Sequence, residues 1–361
     1  MNRERLVTSI RSLRHFVNNS LGLDRGHSIS GFELNESLLD AAAYNTYIET
    51  ISNKADTLYL RAKESITEMT TYSYLDCIRR LSDRFCWTQK SVLLAFDYTD
   101  ENFYGDVQGI AIHGWDGQDG ITGKFKFLTC SILSDEVPEK IPLLSAPIML
   151  GHYKSHTIRY MLDLIKPLVG NIELILFDRG FYDSNLMYDL NAHSYPYLIF
   201  VPKQKDKQEM ILNLEKGDHV AISHEFEIRK DRTVYHDENF LVFLKQIYCK
   251  STDESYDWVF ATNVQDVALG NIIITYKKRW RIETGFRVQD DAQIKCKSKE
   301  MKVRYFLFCY QQMLQTQWVC FSKKDGSFKE FLVSMHEVCK DLVAHPKSTY
   351  RNDPKAKSLQ D

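Results

Sequence analysis

The sequence predicts an α/β protein: a mixed sheet flanked by helices, with a helical N-terminal region and a β-rich insertion. Three observations predict it. Residues 1–88 read as helical, with apolar residues at helical spacing across 36–51. From Ser91 onward, short apolar runs bounded by turn residues alternate with helical stretches. Residues 203–262 then alternate apolar and polar residues in the manner of half-buried strands.

The bulk properties agree with a folded domain. The chain has 361 residues, 44% hydrophobic and 26% charged, which excludes a disordered composition and allows a substantial core. A net charge of -2 means that any nucleic-acid binding must come from local basic clusters. None of the eight cysteines forms a C-x-x-C pair, so reduced, partly buried thiols are expected rather than disulfides or a zinc finger. The N-terminus MNRERLVTSIRSLRHF lacks the apolar core of a signal peptide. Residues 303–321 are apolar but interrupted by Gln311, Gln312, Gln315 and Gln317, which predicts a buried helix, not a membrane span. A cytoplasmic protein is expected.

In the N-terminal region, Ser52 or Asn53 is expected to end one helix and Asp56 to cap the next. Arg61 and Lys63 would then be exposed on a candidate DNA-binding helix-turn-helix, although an ordinary helical hairpin has the same pattern. SVLLAFD, VQGIAIHG and KFKFLTCSIL read as three strands; 153–169 as a helix; NIELILFD as a strand; 183–193 as a helix; and YPYLIFVP as a strand. Residues 203–262 form the β-rich insertion, and a late helix is expected at about 269–290. The resulting organisation is a helical region at 1–88, a core of 89–202 and 263–325, the insertion at 203–262, and a C-terminal tail at 326–361, polar and poorly ordered from His345 onward.

Two apolar runs end in an acid, Asp97 and Asp178. If these strands are parallel neighbours, both carboxylates emerge at one sheet edge, where ligands gather in open α/β sheets. Glu283 lies in ITYKKRWRIETGFRVQD, where Tyr276, Arg279 and Glu283 have the i, i+3, i+7 spacing of one helix face. Three converging carboxylates without His or Cys form a hard oxygen site suited to Mg²⁺ or Mn²⁺. Two such ions would serve phosphoryl transfer without a covalent nucleophile. Each acid also has an ordinary explanation, as a turn residue, helix cap or solvated helix residue. His152 and His156 have i, i+4 ligand spacing but no evident third ligand. Asp100 and Asp106 read as loop residues.

YKKRWRIETGFRVQDD resembles the third-carboxylate region of insertion-sequence transposases, with the Tyr-x₂-Arg-x₃-Glu signature of the insertion-sequence-four group of bacteria and archaea. FDYTDENFYG and FDRGFYDSNL are similar to that family's two aspartate segments, and the resemblance runs over residues 55–322. It implies a ribonuclease H-like core and an Asp97, Asp178, Glu283 triad holding two Mg²⁺ or Mn²⁺ ions. It also implies cut-and-paste movement of the element's own DNA by hydrolytic nicking and transesterification. Tyr276 and Arg279 would contact the backbone near the cleaved phosphate. Lys277, Lys278 and Arg281, with Lys295 and Lys297 beyond them, form basic clusters for DNA. Trp280, Ile282 and Phe286 are expected to anchor the helix. The partners implied are double-stranded element ends and target DNA, bound by a homodimer at the nucleoid. The sequence departs from the signature at Asp290, where the family has Lys. The alternative reading is a catalytically inactive or recruited transposase-derived DNA-binding protein.

Overall fold

The computed structural model describes residues 1–23, 30–115, 120–133, 140–202, 205–230, 232–249, 254–265 and 269–345. The tail beyond residue 345 therefore lies outside the described residues. In chain order the elements are α1 (Arg3–Leu21), α2 (Gly31–Tyr44), α3 (Ile48–Ile51), α4 (Ala55–Glu64) and α5 (Thr67–Phe85), followed by β1 (Val92–Phe103), β2 (His113–Gly114), β3 (Gly123–Ile132) and β4 (Ile141–Ile148). Next come α6 (Lys154–Ile165), β5 (Ile172–Phe177), α7 (Ser184–Ala192), β6 (Tyr197–Phe200) and α8 (Lys205–Leu212). The chain continues through β7 (His219–Lys230), β8 (Thr233–Cys249), β9 (Glu254–Thr262), α9 (Leu269–Lys277), α10 (Trp280–Asp290), α11 (Met301–Phe321) and α12 (Phe328–Ala344).

The chain divides into two compact units. One comprises Met1–Leu81, Glu101–Phe125 and Thr284–Asp361; the other comprises Ser82–Asp100 and Lys126–Glu283.

The first unit is mainly helical. Its α11 is buried nearly all round, as the glutamine-interrupted apolar run predicts. Gln315 donates to the Gly285 carbonyl at 2.9 Å and Gln317 to Ser12 Oγ at 3.2 Å, so two of the interrupting glutamines find internal partners. Phe16 stacks on Phe306 with centroids 5.5 Å apart, tying α1 to α11. The helix expected over 36–51 is broken: Asn45 adopts a left-handed conformation that ends α2, and the four-residue α3 follows. Asp56 lies in the first turn of α4, whose N-cap is Lys54. Residues 326–361 open with α12, a helix missed from sequence although Ser327 and Glu330 form a capping box. No helix among the described residues is long and apolar enough to cross a membrane.

The second unit holds most of the sheet, whose order is β2-β3-β1-β5-β6-β9-β8-β7 with β4 also paired to β3. β1, β5 and β6 run parallel; β6-β9, β9-β8 and β8-β7 are antiparallel. The long hairpins of the β-rich segment thus continue the same sheet through β9. The buried runs 92–96 of β1 and 175–177 of β5 explain the apolar stretch before each aspartate, since a central parallel strand is covered on both faces. Gly170 admits no side chain: a Cβ there would collide with the carbonyls of Thr88 and Lys90, which the chain crosses on its way into β5. Sequence reading missed β4. It also took VQGIAIHG for a strand, whereas only its last two residues pair, as β2.

Candidate active site

The parallel pairing of β1 with β5 puts Phe96 opposite Phe177. Asp97 and Asp178 are each the next residue, so the two carboxylates leave adjacent strands at one level, as expected of parallel neighbours. The strands differ beyond that level. β5 stops at Phe177, and Asp178 caps a short 3₁₀ turn by accepting from the Arg179 N–H at 2.7 Å. β1 instead runs on to Phe103, so Asp97 lies mid-strand and Asp100 belongs to the strand rather than to a loop. Asp97 accepts from the Tyr98 N–H at 2.9 Å.

The third element differs from the single late helix expected. α9 ends at Lys277 and α10 begins at Trp280, with Lys278 and Arg279 forming a tight turn between them. Across it, Arg279 N–H donates to the Tyr276 carbonyl (2.9 Å), Arg281 N–H to that of Lys278 (3.0 Å) and Ile282 N–H to that of Arg279 (2.8 Å). The break turns Arg279 inward. Its Nη1 donates to Asp97 Oδ2 at 2.8 Å and its Nη2 to Glu283 Oε1 at 2.9 Å. One guanidinium thus joins the strand carboxylate to the helix carboxylate. Its Nε is buried without a hydrogen-bond partner.

Arg279 is 4% exposed and Tyr276 2%, so neither side chain faces solvent. Tyr276 packs among Phe200, Trp258 and Phe260, with ring centroids 5.0 to 6.3 Å away. The Arg279 guanidinium lies 5.7 Å from its ring centre. This cluster, drawn from β6, β9 and α9, braces the turn that carries the arginine. Trp280, expected as a core anchor, is 37% exposed because the break rotates it outward, whereas Ile282 is buried.

The electrostatics show a crowded site. Burial pushes the Asp97 pKa up to about 6; Arg279 and the Tyr98 N–H oppose the rise, while Asp178 and Glu283 add to it. Burial works against the charge on Arg279, but Tyr276, Asp97, Asp178 and Glu283 together hold its pKa above the ordinary value. Negative charge at this edge is therefore incompletely offset even with a guanidinium in contact. The donors are all carboxylate oxygens, which suits a hard divalent cation. As the side chains stand, no group of three acids, imidazoles or thiolates among the described residues is arranged to hold an ion. Arg279 already uses one oxygen from each of Asp97 and Glu283.

Of the basic residues, Lys277, Lys278 and Arg281 surround the turn and are all partly exposed. Lys295 and Lys297 belong to the other unit, where the Lys295 N–H donates to the Thr46 carbonyl and Lys297 lies 5.0 Å from the Tyr47 ring centre. His152 precedes α6, which starts at Lys154, so His152 and His156 do not share a helix face.

Residues 145–301 match the family model described as "Transposase DDE domain". This match supports a transposase. No curated protein matches the sequence. Among solved structures, the chain is similar to that described as "Cryo-EM structure of piggyBac transposase synaptic complex with hairpin DNA (SNHP)". The likeness has a TM-score of 0.55 at 12% identity, over 98% of this chain and 82% of that one. It shows a ribonuclease H-like fold, the mixed sheet flanked by helices that the resemblance implied.

Proposed function

We propose that the chain is a DNA transposase of the insertion-sequence-four type, cutting and joining the ends of its own mobile element through Asp97, Asp178 and Glu283. The observation that carries this reading is the convergence at one sheet edge: two aspartates level on parallel strands, and a helix glutamate linked to one of them through Arg279. Asp97, Asp178 and Glu283 would hold two Mg²⁺ or Mn²⁺ ions, which when bound polarise the phosphate and activate a water or a 3′ hydroxyl for in-line attack.

The chain's own residues supply position and charge. Tyr276 and its aromatic neighbours fix the turn, and the turn fixes Arg279. Arg279 in turn holds Asp97 and Glu283 at defined positions. Lys277, Lys278 and Arg281 would take backbone phosphates of double-stranded DNA beside the turn, and Lys295 and Lys297 are candidate phosphate contacts of the other unit in its own right. The solved protein of similar fold is described in a synaptic complex with hairpin DNA. A homodimer holding two element ends at the nucleoid follows from the reaction proposed.

The test is excision from a plasmid carrying the gene's own flanking DNA, with Mg²⁺ or EDTA, beside Glu283→Gln. Metal-dependent release of a discrete fragment by wild type is expected. The variant should lose more than about 100-fold in rate, because even outer-shell partners of a metal cost 10–100-fold, while retaining DNA binding. Wild-type rates in the variant would sink the triad. Selective DNA binding without cleavage by wild type would favour a recruited DNA-binding protein.

A further inference from the structure

The outward face of α6 carries an aromatic strip that the chemistry proposed above does not use. The helix buries Ser155, Ile158, Met161, Leu162 and Ile165. The opposite face of a surface helix is ordinarily polar. Here His156 and Tyr160 occupy it, and Tyr153, the residue that caps the helix, precedes them at the same i, i+3, i+7 spacing, with Tyr153 73% exposed and Tyr160 45%. Tyr153 and His156 lie ring to ring, centroids 5.5 Å apart. The strip begins beside the carboxylates. Lys154 Nζ donates to the Gly180 carbonyl at 2.6 Å, and Gly180 sits in the 3₁₀ turn that Asp178 caps. Lys154 and the exposed Arg179 place positive charge at that same end.

We infer that this strip is a stacking platform for unpaired nucleotides of the DNA strand adjoining the carboxylates. The inference rests on the transposase reading and adds the form of DNA this face takes. An aromatic face accepts any base, because every base has a π-face, and it favours unpaired strands because the bases of a duplex are already stacked on one another. The positive charge beside the first ring matches a phosphate backbone, and continuity with Asp178 brings the bound strand to the proposed reaction centre. These two features favour nucleic acid over a protein partner.

The test is binding of a fluorescent single-stranded oligodeoxynucleotide of about eight nucleotides, and of a duplex of equal length, to the full chain in EDTA. Tyr153→Ala should weaken single-strand binding about tenfold or more, the loss expected for one stacked base. The triple variant Tyr153→Ala, His156→Ala, Tyr160→Ala should lose more, with an unchanged melting temperature since all three side chains are exposed. Tyr153→Phe should bind like wild type. The salt dependence should be unaltered in Tyr153→Ala, which removes no charge. Equal losses in the Phe and Ala variants would assign the effect to the hydroxyl and overturn stacking. Unchanged single-strand binding in the triple variant, with duplex still bound in EDTA and cut when Mg²⁺ is supplied, overturns the platform and leaves the transposase standing. Failure of wild type to bind either form in EDTA, or to cleave with Mg²⁺, removes both.

Discussion

Replacing Arg279 with Met tests the arrangement of the site directly. The substitution keeps much of the side-chain volume but removes both charge-assisted hydrogen bonds, at 2.8 and 2.9 Å. The two partners do not lose equally. The Glu283 side chain is 50% exposed and water can replace the arginine, so its half contributes under about 1 kcal/mol. The Asp97 side chain is only 15% exposed and is left as an uncompensated buried charge. Breaking such a buried pair costs about 3–5 kcal/mol. Protonation limits the loss, because Asp97 already titrates near 6 with Arg279 present.

The sign follows from linkage. The folded-state pKa of Asp97 lies above its unfolded value, so its contribution to stability falls as pH rises from about 4 to about 6. Without Arg279 the folded pKa moves higher, and the fall extends to higher pH. The variant should therefore be less stable than wild type by about 3 kcal/mol at pH 8, and by less than about 1 kcal/mol at pH 5, where Asp97 is protonated in both. Denaturant unfolding in EDTA, followed by tryptophan fluorescence at the two pH values, measures the difference. A loss equal at pH 5 and pH 8, or no loss at either, would refute the buried ion pair as the source of the effect.

Three further outcomes are expected. Tyr276→Ala should cost about 3–5 kcal/mol through loss of the aromatic cluster behind the turn, and Tyr276→Phe under about 1.5, as read by denaturant midpoint; equal costs would place the hydroxyl, not the ring, at the centre of its role. Lys278→Ala and Arg281→Ala should each lower the slope of log K against log salt for duplex DNA by about 1, and an unchanged slope would remove that residue from the phosphate contacts. In the other unit, burial pushes Glu101 up to about 7 against the opposing charge of Arg304, 3.4 Å away. Wild-type stability should thus carry a component that falls as pH rises from about 4.5 to about 7. Glu101→Gln should flatten it, and an undiminished slope across that window in the variant would show that another group titrates there.

Much of this protein is legible in its sequence, and the parts that are not have a common physical cause. SVLLAFD and NIELILFD could be read as buried strands because a central parallel strand, covered on both faces, needs a run of consecutive apolar residues, 92–96 in one and 174–177 in the other. The acid ending each run marked Asp97 and Asp178. The glutamine-interrupted run of α11 could be read as a buried helix because its polar groups were few, and Gln315 and Gln317 each donate to an internal partner. Local pattern also showed alternation across 203–262, yet not that β9 pairs with β6 and joins those hairpins to the core sheet. Pairing depends on residues distant in the chain, and the same alternation would serve a separate sheet equally well.

The site divides the same way. Residue types and order made three carboxylates candidates from sequence alone, but cast Arg279 as a phosphate contact, whereas it is buried against Asp97 and Glu283. The level pairing of Asp97 with Asp178 needed the register of β1 against β5. The role of Arg279 needed the break between α9 and α10, which helical periodicity argued against. Local propensity favours continuing the helix through Lys278; the inward turn is compensated by the carboxylates and the aromatic cluster that tertiary folding brings within reach. Which side chains could carry the charge was determined by the sequence itself. Which of them touch was decided by the tertiary structure, because buried charges settle where their partners are.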